Sequence, residues 1–177
     1  TYSEGGNFKP GFHDFELRTA LDSSVRYDLG EHRGRIRAFM FSSITNPPAR
    51  FQLPLWDRLQ EKYAGKEVDL FTVYGKELHP KDKPSFKDYP APKSEYEKRR
   101  YALDLAAMTK LPVLVDGLDD AVLNAYGRVP NGVYVFDQDN NLLRGQGRMR
   151  NARFRWIGPE GARAGDGDIP REVHGSS

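Results

Sequence analysis

Apolar and polar positions along this chain change period several times, and each change marks an element. Phe12 to Leu17 alternates as a short edge strand does. Arg35 to Phe41 then becomes continuously apolar toward its end, the pattern of a strand covered on both faces. Ser42 to Pro48 breaks the run. From about Ala49, Leu55, Leu59 and Tyr63 recur at helical spacing, flanked by Phe51 and Trp56, until Ala64-Gly65 closes the segment. Val68 to Tyr74, rich in β-branched and aromatic residues, reads as a second buried strand and runs into a loop over Gly75 to Pro80. Residues 80–93 are too proline-dense for regular structure.

A second helix is expected over Ser94 to Thr109, with Ser94 as N-cap and Glu97 completing a capping box. Leu111 to Asp116 reads as a third strand, and Asp119 caps a helix through Tyr126 that Gly127 ends. Val133 to Asp137 and Asn141 to Arg144 flank a polar turn and predict a hairpin. Residues 1–11 form a lead-in and residues 12–150 one domain, while residues 151–177 are a tail rich in arginine and glycine. Strands alternating with helices and closing on a hairpin give an α/β class. The element order is that of a thioredoxin-like fold: a mixed, mostly parallel central sheet flanked by helices, with a C-terminal antiparallel hairpin.

Composition narrows the chemistry. The 177 residues hold 38% hydrophobic and 12% aromatic side chains, enough for a core. With 27 basic against 25 acidic residues, a net charge of +2 gives no whole-surface argument for nucleic acid or membrane. No apolar run approaches the roughly 20 residues of a membrane helix, so the chain reads as soluble, cytoplasmic or exported after signal cleavage. There is no cysteine, which removes disulfides, thiolate metal sites and thiol nucleophiles together. His13, His32, His79 and His174 are scattered without zinc spacing, and Asp116, Asp119 and Asp120 suit helix capping better than metal binding. No cofactor is implied.

In an open α/β sheet the functional crevice lies beyond the carboxyl ends of the parallel strands. Phe41 to Pro48 and Tyr74 to His79 fall there, together with Val129-Pro130 ahead of the hairpin. Ser43-Ile44-Thr45-Asn46-Pro47-Pro48 opening a helix, the Glu77-x-His79-Pro80 run, Val115 to Asp119, and Ala125-Tyr126-Gly127 ahead of Pro130 and Tyr134 together resemble the iodothyronine deiodinase family. Asp14 to Leu17 is similar to the lead-in of the wider redoxin group.

The resemblance implies reductive removal of iodine by a selenocysteine or cysteine at the helix start, with Asn46 standing at that nucleophile position. It further implies that Ser43 and Thr45 are hydroxyls beside the nucleophile, that Glu77 and His79 serve hydrogen bonding and proton delivery, and that Pro130 is a cis-proline against the helix start. Arg148 corresponds more loosely to a Gly-Arg segment that meets the substrate. An amide nitrogen has no lone pair free for attack and cannot cycle through a sulfenyl or selenenyl state.

Simpler roles stand beside these. Asn46 before Pro47 is a favoured helix cap whatever the function, and Glu77 with His79 fits a solvated turn. Arg144, Arg148, Arg150, Arg153 and Arg155 can form a solvated face or recognise a carboxylate or phosphate. Phe154 and Trp156 among them suit an arm that packs on a protein partner or a second copy of the chain. Three functions therefore remain open. The chain is a redox-silent deiodinase-like protein that binds a small aromatic or carboxylate ligand or a protein; or a reductase whose native residue 46 has been replaced; or a subunit docked through residues 151–177. The short basic run without a groove-entering motif argues against nucleic acid.

Overall fold

The computed structural model describes residues 11–79 and 84–145. Arg148 and the tail over residues 151–177 therefore lie outside the described residues, as do residues 1–10 of the lead-in. The elements are β1 (Glu16–Thr19), β2 (Arg26–Asp28), β3 (Ile36–Ser42), α1 (Pro47–Lys62), β4 (Val68–Tyr74), α2 (Glu95–Ala106), β5 (Val113–Val115), α3 (Ala121–Ala125), β6 (Val133–Phe136) and β7 (Leu142–Arg144), with one 3-10 turn at Pro84–Phe86. They build one seven-stranded sheet in the order β2-β1-β5-β4-β3-β6-β7. The parallel part is β3, β4 and β5, and every other pairing is antiparallel. This is the mixed sheet of a thioredoxin-like α/β fold.

The apolar run of β3 is explained by burial on both faces. Ile36, Ala38 and Met40 join Leu53 and Trp56 of α1 and Tyr101 and Leu105 of α2 in one core layer. On the other face, Phe39 and Phe41 enter an aromatic layer with Phe12, Phe15, Phe71, Tyr126, Tyr134 and Phe136. Phe39 stacks on Phe71 and Tyr134 at centroid distances of 5.2 and 5.5 Å, separations at which ring quadrupoles attract.

Arg37 shares that aromatic face and is wholly enclosed. Its guanidinium donates to the Leu29 carbonyl (2.8 Å), the Asp137 carbonyl (2.7 Å) and Asn140 Oδ1 (2.6 Å), and burial lowers its pKa. These bonds fasten β3 to both the segment after β2 and the turn between β6 and β7.

Some local expectations are corrected. The first strand is Glu16–Thr19 rather than Phe12 to Leu17, because Phe12 and Phe15 are held as core anchors before pairing begins. It is not an edge, since β2 pairs outside it across a turn in which Asp22 Oδ1 accepts from Ser24 N and Oγ at 2.9 and 2.6 Å. Helix α1 begins at Pro47, two residues before the apolar stripe, because proline suits a first turn whose N–H groups have no intrahelical partner. Pro54 also lies inside α1, where its ring removes the N–H that the Arg50 carbonyl would receive.

Ser94 caps α2 as expected, with Glu97 N donating to Ser94 Oγ at 3.1 Å, but the Glu97 carboxylate accepts from Lys93 N one residue outside the box. Asp119 is not the N-cap of α3. That place belongs to Asp120, whose φ of 54° is left-handed and whose side chain makes no cap bond; Asp119 Oδ1 still accepts from Ala121 N at 3.2 Å, and Asp116 takes the next two N–H groups. Its Oδ1 accepts from Val122 N and its Oδ2 from Leu123 N, at 3.1 and 2.9 Å.

Candidate functional site

The carboxyl ends of β3 and β4 carry the residues singled out from the sequence. Leaving β3, the chain passes through Ser43, Ile44 and Thr45 and enters α1 at Asn46, whose backbone N donates to the Ser43 carbonyl at 3.2 Å. Leaving β4 at Tyr74, it turns through Gly75, whose N donates back to the Ser42 carbonyl at 2.9 Å. This bond sets the two loops side by side. Ser43, Thr45 and Asn46 have no exposed surface, and Glu77 is 5% exposed.

Glu77 is the centre of the arrangement. Its Oε2 accepts from Thr45 Oγ1 at 2.5 Å and from Thr45 N at 3.2 Å, while Oε1 accepts from the Tyr74 hydroxyl. The Tyr74 oxygen in turn accepts from Ile44 N at 3.0 Å. Thr45 Oγ1 also accepts from Leu78 N and His79 N, at 3.1 and 3.3 Å. A buried carboxylate is costly unless its lone pairs are filled, and here hydroxyl and amide donors fill both oxygens. Burial, reinforced by the neighbouring Glu77 carboxylate, pushes the Tyr74 phenol above its ordinary pKa, so it remains a donor throughout the physiological range.

Asn46 uses both ends of its amide. Oδ1 accepts from Ala49 N at 3.3 Å as the cap of α1, and Nδ2 donates to the Pro130 carbonyl at 3.0 Å. It therefore ties the helix start to the turn leading into β6. The Val129-Pro130 bond is trans, since no peptide bond is cis among the described residues; the expected cis-proline is corrected. Gly132 N donates to the Val129 carbonyl at 3.0 Å, so Pro130 takes the second position of a four-residue turn, where its fixed φ suits a trans bond.

The fold thus unites Thr45, Asn46, Glu77 and Pro130 with the backbone of His79, whose side chain is half-buried. Ser43 belongs to the same turn, but its buried Oγ has no hydrogen-bond partner. Tyr74 escaped the sequence reading because it passes for the last apolar position of β4. Its distance of three residues from Glu77 across a glycine turn was the available signal.

Lys98 was also missed. Its ammonium, 2% exposed, donates to the Gly117 carbonyl and Asp120 Oδ1 at 2.8 and 2.7 Å beside the end of β5. Asp116 there has a raised pKa, because burial outweighs the backbone donors and the nearby Lys98 charge. No group of three or more His, Cys, Asp or Glu comes together as a metal site among the described residues, and no described helix is long and apolar enough to cross a membrane.

Chemically, this arrangement holds a carboxylate, a phenol and two hydroxyls around a helix start whose first side chain is an amide. It has hydrogen-bonding capacity and no group that can accept two electrons.

A family model described as iodothyronine deiodinase matches residues 28–152. No curated protein matches the sequence. Among solved structures, the exposed lipoprotein thioredoxin of Streptococcus pneumoniae strain TIGR4 is 23% identical, with a TM-score of 0.57 over 77% of this chain and 91% of that one. A thioredoxin-like protein from Aeropyrum pernix is 20% identical at a TM-score of 0.53, covering 76% and 81% of the two chains. A thiol:disulfide interchange protein of the thioredoxin family from Chlorobium tepidum TLS is 12% identical at 0.51, covering 75% and 81%. At these identities the likeness is one of fold.

Proposed function

Because this chain belongs to the iodothyronine deiodinase family and carries Asn46 at the position of that family's selenol or thiol, we propose that it acts by binding and performs no thiol- or selenol-based reduction. The observation that carries the reading is the amide of Asn46, enclosed and hydrogen-bonded at both ends. Reductive dehalogenation needs a nucleophile that takes up the halogen or an equivalent oxidised state and is then re-reduced. An asparagine engaged as cap and cross-link supplies neither step.

The proton-delivery residues of the resemblance acquire another role under this reading. Glu77, Thr45 and Tyr74 satisfy one another and hold the two loops together. What is kept from the family is recognition of a small aromatic, carboxylate-bearing molecule.

The test is an assay of iodide release from thyroxine with dithiothreitol as reductant, alongside equilibrium binding of thyroxine followed by the fluorescence of buried Trp56. Saturable binding without iodide release is expected. Reductant-dependent iodide release by the purified chain would overturn the redox-silent part, and absence of binding would overturn the ligand class.

One observation favours a second reading, in which position 46 originally carried cysteine or selenocysteine. Ser43 Oγ is buried without a partner in the turn whose carbonyl accepts from Asn46 N, as a donor awaiting an anion is. In that case Asn46→Cys gains reductant-dependent turnover and shows a thiol pKa depressed by the helix start. An inert Asn46→Cys protein with an ordinary thiol would leave Ser43 as a packing residue and remove this reading.

A further inference from the structure

A helix laid on a sheet by one apolar face is expected to show polar residues on the other. Helix α1 departs from this. Its buried face carries Ala49, Leu53 and Trp56. The opposite side, followed at steps of three or four residues, carries Pro47, Phe51, Pro54, Arg58 and Lys62. Phe51 is 81% exposed, more than any other large apolar side chain among the described residues, and Pro54 beside it is exposed as well. A proline inside a helix removes a main-chain hydrogen bond, and on the solvent side it recovers nothing by burial. The amino half of this face is thus apolar and uncovered among the described residues.

The carboxyl half is basic. Arg58 and Lys62 are exposed and form no ion pair among the described residues. The acidic side chains of the same helix are engaged by the segment that follows α2. Asp57 accepts from Thr109 Oγ1 and Lys110 N at 2.6 and 2.9 Å, and Glu61 accepts from Lys110 Nζ at 2.8 Å. The first turn of α1 has no acidic residue. One helix face therefore grades from apolar to positive along its length.

We propose that this face of α1 docks an acidic amphipathic helix of another protein, at a surface separate from the enclosed Asn46 and independent of the reading given to that residue. The partner lies antiparallel to α1. Aliphatic side chains at every third or fourth position pack on Phe51, Pro54 and the half-buried Leu55, while carboxylates in its first two turns, where the helix dipole favours them, face Arg58 and Lys62. Other occupants fit less well. In a second copy, either orientation sets Arg58 and Lys62 against their own counterparts or against the acid-free first turn of the other α1. An anionic bilayer suits the cations, but one large ring is little to insert. An extended peptide finds no row of free N–H and C=O groups on a helix.

The test uses a helical peptide with leucine at every third or fourth position and glutamate in its first two turns; the control peptide has lysine in place of glutamate. Both are titrated into the isotopically labelled full chain and followed by amide shifts. The acidic peptide is expected to move the Phe51, Leu55, Arg58 and Lys62 resonances saturably and to bind at least about tenfold tighter than the lysine peptide. Phe51→Ala should weaken it at least about tenfold while the dispersion of the spectrum is unchanged. Arg58→Glu should weaken the acidic peptide at least about fivefold and tighten the lysine peptide, an exchange that mere loss of structure does not produce. Equal affinity for the two peptides, no saturable shift, or binding indifferent to Phe51→Ala would each overturn the proposal. So would a dimer in sedimentation that Phe51→Ala dissolves, tighter binding to anionic phospholipid vesicles than to the acidic peptide, or movement of the resonances of residues 151–177 on Phe51→Ala without peptide; these assign the face to a second copy, a membrane and the chain's own tail respectively.

Discussion

The two ends of the parallel strands are built from the same backbone and finished in opposite ways. At the carboxyl ends, Glu77, Thr45, Tyr74 and Asn46 pair donors with acceptors in a space closed to solvent. At the amino ends, Thr72 N of β4 donates to the Pro112 carbonyl, and proline has no N–H to return to Leu70, so the β4–β5 ladder stops there. The family resemblance directs attention to the first end, where the polar groups are matched; at the second, a ladder bond is missing for want of a donor.

The contrast breaks most sharply at Glu77. Replacing it by leucine strands the Tyr74 and Thr45 hydroxyls in the core, and a loss of about 3 kcal/mol is expected from unsatisfied buried donors. Urea denaturation reads this directly, and a loss below about 1 kcal/mol would mean that the polar joint carries little of the fold. Asn46→Ala should cost about 1 to 2 kcal/mol, from one helix cap and one cross-link to Pro130. A change within error would show that the amide contributes nothing to holding the helix start against the turn at Pro130.

At the other end, Pro112→Ala should alter stability by less than about 1 kcal/mol, because one hydrogen bond gained is offset by freedom returned to the unfolded chain. A large loss there would erase the difference between the two ends. The smallest effect is one of pH. The Asp116 carboxyl titrates above its ordinary 3.8 in the folded state, so the native protein holds that proton more tightly than the unfolded chain. Its contribution is full below 3.8 and is lost as pH rises through the folded value. The gap in melting temperature between the natural chain and Asp116→Asn should accordingly widen on acidification toward that pH; a constant gap would contradict the raised pKa.

Much of this molecule could be read from residue order, for reasons that differ by element. β3 and β4 were legible because burial on both faces demands unbroken apolar runs, and the start of α2 because Ser94 carries its own cap. The β1–β2 hairpin was hidden, since Arg26–Asp28 has no apolar pattern and its pairing depends on Asp22 folding a six-residue connection back on itself. The share that Asp116 takes in capping α3, beside Asp119, was hidden too. Asp116 reaches Val122 N and Leu123 N from six and seven residues away, a span that nearest-neighbour spacing does not report.

At the site, Thr45, Glu77 and Asn46 came from the resemblance, and their mutual bonds could not. Which oxygen meets which donor depends on how two loops settle. The trans bond at Pro130 was misjudged because fold analogy outweighed the turn around it. Pro112 was passed over as an ordinary strand residue, although its meaning lies in a donor it lacks.

Arg37 has a consequence for how the chain folds. Its guanidinium reaches a carbonyl eight residues before it and acceptors 100 and 103 residues after it. Were β3 to become enclosed before the turn at Asp137 to Asn140 arrived, a cation would sit in hydrocarbon with most of its donors unmet, at a cost of several kcal/mol. Partly assembled forms that bury β3 without the C-terminal hairpin are penalised by that amount. One side chain thereby couples early and late segments of the polypeptide, favouring an all-or-none transition over stepwise closure of the sheet.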